Sequence, residues 1–130
     1  MKNILLENEE VTIELENGIV IAKWKSTSVD LDIAQQAVKY RLEATNYKSY
    51  PILSNIRAIK NISKPARDFL ATEKGCEGIT AAAVLIDSPL GSMIGNFFIS
   101  ISRPLRPTKI FTDEADAKKW LTQYVEKNSI

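Results

Sequence analysis

Histidine is absent from these 130 residues, and cysteine occurs once. Without an imidazole there is no His-based general acid or base and no Ser-His or Cys-His nucleophile, and nearly every common zinc site is excluded. Most hydrolase mechanisms go with it. The lone Cys76 cannot form an internal disulfide, and a chain of this length has no need of one, because it buries roughly two thirds of its unfolded surface on folding. Charge of one sign is also missing. Lys and Arg number 17 against 16 Asp and Glu, for a net charge of +1 and a pI near 7.8. That balance gives no global electrostatic reason to expect nucleic acid or an anionic membrane. The longest apolar stretch, Ile79 to Ile86, is far below the roughly 20 residues that cross a bilayer. Met1 to Glu10 holds one Lys, a short apolar patch at Ile4 to Leu6, then Glu7, Glu9 and Glu10. It does not read as a signal peptide, so the expected compartment is the cytoplasm.

What is present is the composition of one globular domain, 45% hydrophobic and 25% charged, with no repeat, low-complexity tract or linker to divide residues 1–130. Val11 to Glu16 alternates apolar and polar residues, Asn17-Gly18 follows, and Ile19 to Trp24 is β-branched and apolar. The pattern predicts a hairpin, since Asn and Gly tolerate the positive φ that a tight type I′ turn demands. Asp30 caps an expected helix over 31–45, in which Ile33, Ala34, Ala37, Val38, Arg41 and Leu42 recur at helical spacing. A short strand is expected from Ile52 to Arg57. Ser63-Lys64-Pro65 opens a second helix over 65–74, closed by Gly75. Thr80 to Ile86 reads as a central strand buried on both faces. Ser88-Pro89 starts a further helix with Leu90, Met93, Ile94, Phe97, Phe98 and Ile101 on one stripe, and Arg103-Pro104 stops it. Lys109 to Phe111 is the last strand, and Thr112-Asp113-Glu114 caps a final helix containing Trp120 and Leu121. The order β-β-α-β-α-β-α-β-α predicts an α/β fold: a mainly parallel five-stranded sheet, helices on both faces and an N-terminal hairpin.

That order, with Ser88-Pro89-Leu90 leading into Met93-Ile94-Gly95-Asn96-Phe97-Phe98 and then Arg106-Pro107-Thr108-Lys109-Ile110-Phe111-Thr112-Asp113-Glu114, resembles the SpoIIAA-like group of STAS domains over nearly the whole chain. Small stand-alone bacterial members of unassigned function, often labelled STAS/Sec14-like, are most similar. In the anti-sigma-factor antagonists of this superfamily, phosphorylation of a Ser at a helix start switches partner binding. The resemblance places Ser63 within about one position of that serine and Asn55 where those proteins carry an Asp. The antagonists read Asp-Ser-Ser/Thr-Gly, whereas this chain reads Ile62-Ser63-Lys64-Pro65. A helix start prefers an uncharged Ser cap, the alternative reading of Ser63, while a helix N-terminus beside Lys60, Lys64 and Arg67 would tolerate a phosphate on it.

The carboxyl ends of parallel strands are where ligands of open α/β sheets bind. Here that edge is expected to gather Asn55, Arg57, Asp87, Ser88 and Thr112, suited to an anion or to a partner surface, with capping and surface pairing as the alternative. Gly91 and Gly95 with Met93, Phe97 and Phe98 read as core packing, a homodimer seam or the floor of an apolar pocket. No cofactor or metal is expected. The leading expectation is a non-enzymatic STAS-like binding or regulatory module acting through a protein partner, with possible self-association. A carrier of an anionic or lipid-like small molecule is the alternative, and an enzyme using Asp87 or Arg57 is third. Nucleic acid is not expected as a partner.

Overall fold

A computed structural model describes residues 2–87 and 105–125. The order is β1 (Lys2–Glu7), β2 (Val11–Glu16), β3 (Ile19–Trp24), β4 (Ser28–Val29), α1 (Leu31–Ala44), β5 (Tyr50–Asn55), β6 (Asn61–Ile62), α2 (Lys64–Leu70), β7 (Ile79–Leu85), β8 (Thr108–Phe111) and α3 (Glu114–Thr122). The main sheet has six strands in the order β1-β2-β3-β5-β7-β8, while β4 and β6 form a separate two-stranded pair. The pairings β3-β5, β5-β7 and β7-β8 are parallel; β1-β2 and β2-β3 are antiparallel. The expected α/β architecture stands, with one strand added at the edge. β1 carries its apolar residues in one run, Ile4 to Leu6, instead of alternating them, and became a strand through its ladder with β2, a tertiary pairing that local pattern does not announce.

The Asn17-Gly18 turn forms as expected, with φ of 52° and 80°. It sets Val11 opposite Trp24 and Glu16 opposite Ile19. Asp30 caps α1 by accepting the Ile33 N–H at 2.9 Å, and Asp113 caps α3 by accepting that of Asp116 at 2.9 Å. The second helix ends at Leu70, short of the expected 74. There the Thr72 hydroxyl donates to the Phe69 carbonyl at 2.6 Å and accepts the Gly75 N–H at 3.1 Å, replacing the helical ladder with turns. The helix expected after Ser88, with its apolar stripe, lies outside the described residues.

Strand alternation divides the core between the two faces of the sheet. On one face Ile19, Ile21, Leu53, Ala81, Ala83 and Leu85 pack against Ala117 and Leu121 of α3. The alanines bring that helix close. Lys118 bridges Glu16 at 3.2 Å and Glu114 at 3.0 Å, tying α3 to the hairpin end. On the other face Val11, Ile13, Val20, Ala22 and Ile52 meet Tyr40 and Ala44 of α1. Trp24, Val29, Ile59 and Ala66 join α1 to α2 on the same side.

Two substitutions test this arrangement. A Cβ at Gly18 would stand 2.7 Å from Val125 Cγ1 on a residue already at positive φ, so Gly18→Ala is expected to cost more than about 1 kcal/mol in urea unfolding. Leu53→Ala, at a side chain with no exposure, is expected to cost about 2–5 kcal/mol.

Candidate functional site

Between the α1-α2 layer and the sheet lies a cavity of about 140 Å³. Its existence follows from small side chains on facing walls: Ala22 and Ala82 on the strands, Ala37 on α1 and Gly75 after α2 all line it. Gly75 admits nothing larger, because a Cβ there would come within 2.2 Å of the Phe69 carbonyl oxygen. Trp24, Val29, Ile56, Ile59 and Ile62 form an apolar end near the carboxyl termini of β3 and β5. Ser54 offers little polarity there, since its hydroxyl accepts the Trp24 indole N–H at 3.2 Å.

The opposite end, around the start of β7, is polar and cationic. Arg41, Cys76, Arg106 and Thr108 line it. Arg41 reaches down from α1 and is 6% exposed. Its Nη1 donates to the Glu77 carbonyl at 2.7 Å and its Nη2 to that of Gly75 at 3.3 Å. No carboxylate pairs with it among the described residues. Burial pushes this guanidinium down to about 10, with Cys76 and Glu77 pulling the other way, and it remains a cation at neutral pH. Arg106 differs. It is only partly buried, donates from Nε to the Ile79 carbonyl at 2.9 Å and pairs with Glu73 at 2.7 Å. Its pKa is held above the ordinary arginine value by the Glu73 hydrogen bond. Cys76 directs its thiol to the Leu70 carbonyl at 3.4 Å.

Of the residues expected at the strand carboxyl ends, Asn55 and Arg57 are engaged with one another. Asn55 is buried, and its side-chain oxygen accepts both the backbone N–H and the Nε–H of Arg57 at 3.1 Å each. Arg57 also lies 3.7 Å from Glu114 of α3. Asp87 and Thr112 follow β7 and β8 at the same edge, both exposed. Ser63 belongs to a different neighbourhood. It caps α2 by accepting the Ala66 N–H at 3.2 Å, and its own N–H binds the Val29 carbonyl at 3.0 Å. Ser88, Gly91, Met93, Gly95, Phe97 and Phe98 lie outside the described residues. Sequence reasoning thus looked to the carboxyl edge, while the charged end of the cavity sits at the amino edge of the parallel strands. The available signal was Arg41 itself, a charged residue on the inward stripe of an amphipathic helix.

Comparison with known proteins places this geometry in a family. The family model described as "Domain of unknown function (DUF7793)" matches residues 13–125. The chain belongs to the DUF7793 family. Among solved structures, the DUF7793 chain is similar to an uncharacterised DUF3478-family protein with a SpoIIAA-like fold from Shewanella loihica PV-4. The two share 17% identity and a TM-score of 0.62 over 93% of this chain and 95% of that one. A protein of unknown function from Arthrobacter sp. fb24 shares 27% identity over 85% of this chain and 97% of its own, with a TM-score of 0.34. No curated protein matches. The Shewanella structure bears out the SpoIIAA-like fold expected from the sequence and carries no activity with it.

If the strand-end cluster holds structure together, Asn55→Ala in this DUF7793 chain should cost about 1–3 kcal/mol of unfolding free energy, because it removes a buried side-chain oxygen that accepts two N–H groups of Arg57. By the same measurement Asp87→Asn and Thr112→Ala should change stability by less than about 0.5 kcal/mol.

Proposed function

We propose that this chain is a non-enzymatic binding module that takes a small, mainly apolar molecule into the cavity between the α1-α2 layer and the sheet. The cavity and its lining carry this reading. An apolar void of roughly 150 Å³ accepts a benzene-sized guest, and this cavity is of that size with an apolar end of its own. Binding rather than catalysis is supported by the occupants of the walls. The Ser54 hydroxyl is engaged by Trp24, the Cys76 thiol faces a backbone carbonyl, and no carboxylate is among the lining residues described. Of the two binding expectations raised by the sequence, the small-molecule one gains from these observations. A protein partner acting through Asn55 and Arg57 has no comparable support, because those side chains bind each other and Glu114.

Toluene, followed by NMR on the full chain, tests the proposal. It is expected to shift or broaden the signals of Trp24, Ile52 and Val84, and Ala82→Leu, which fills the void from β7, is expected to abolish the effect while leaving the fold intact. Toluene-induced shifts confined to surface residues, or none at all, would overturn the reading.

A further inference from the structure

Resting on that reading, we infer that the guest carries a carboxylate, and that Arg41 receives it at the end of the cavity beside Gly75 and Cys76. A buried guanidinium has lost its hydration, and in folded proteins such a charge is ordinarily matched by an acid. Arg41 has two carbonyl oxygens instead, and its remaining N–H donors have no partner among the described residues. Those carbonyls supply hydrogen bonds without supplying negative charge.

The second guanidinium on the same wall sharpens the assignment. Arg106 already has its counter-ion in Glu73. The guanidinium that holds no carboxylate by a hydrogen bond is therefore Arg41, the more deeply buried of the two, on which the Glu77 carboxylate acts only through space. A planar carboxylate suits an Arg fork, and a single one matches a single guanidinium that has no carboxylate bonded to it. Size bounds the rest of the guest. A void of about 140 Å³ leaves space for an apolar body of about six carbon atoms beyond the head group. Chemically, the class is a small aromatic or short-chain aliphatic monocarboxylate, its apolar body directed toward Trp24, Ile56 and Ile59.

A purely structural role for Arg41, holding the turn at 75–77 by its carbonyls, makes a different prediction, because it gives no reason for charge selection. Isothermal titration of the native chain with benzoate and with its neutral near-isostere benzamide separates the two without any mutation. Benzoate is expected to bind at least about tenfold more tightly, the scale of one charge-assisted hydrogen bond. In Arg41→Met that preference is expected to vanish while toluene still binds, which also shows that the variant is folded. Arg106→Gln is expected to keep most of it. Benzamide binding as well as benzoate to the native chain would overturn the carboxylate inference and leave the cavity reading standing. Failure of toluene, benzoate and benzamide together would overturn both. Loss of the preference in Arg106→Gln with its retention in Arg41→Met would overturn the assignment to Arg41.

Discussion

Bringing the Arg41 guanidinium under α1 removes it from water, and the two carbonyls of the 75–77 turn return only part of the lost solvation. That constraint organises one half of the molecule. The charged end of the side chain needs the turn, so the turn must come in under the C-terminal half of α1. Gly75 permits this, because its α-carbon lies against the backbone of Phe69 and Leu70 where no side chain fits. The early end of α2, fixed by Thr72, releases the chain in time to make the turn. Residues from α1, the 75–77 turn and the start of β7 therefore meet at one point, and that point closes one end of the cavity.

The two faces of the sheet solve the packing problem differently. Against α3, small residues meet small residues: Ala81, Ala83 and Ala117 let helix and sheet approach closely, with Leu53, Leu85 and Leu121 fully buried among them. On the α1-α2 face Ala22, Ala37 and Ala82 are also small, yet the layer does not close to the same extent. Trp24 and the Ile residues around it hold the layers apart at one end, and Arg41 with its turn does so at the other. A cavity bounded by bulky groups at its ends and small ones at its middle is a shape that can admit a guest.

Much of the fold was legible because local chemistry and tertiary demand agreed. Asn17-Gly18 fixed the hairpin register, Asp30 and Asp113 capped the helices they precede, and the run ending at Ile86 formed a central strand. Disagreement marks the rest. β1 owes its state to its partner, and α2 stops early because of a threonine hydroxyl. Asn55 and Arg57 were legible as neighbours but not as each other's partners, since sequence gives no side-chain direction. The cavity was illegible as a volume, because it depends on how closely two layers approach. Its one trace in the sequence was a charge at position 41 on a helix stripe that otherwise faces inward.

A crystal structure of the full chain grown with benzoate tests the central claim most directly, since it asks for position and orientation together. The account predicts ring density between Trp24, Ile52 and Val84, with the carboxylate against the Arg41 guanidinium. A layer closed around an empty space too small for the ring, or benzoate found only on the molecular surface, would contradict it.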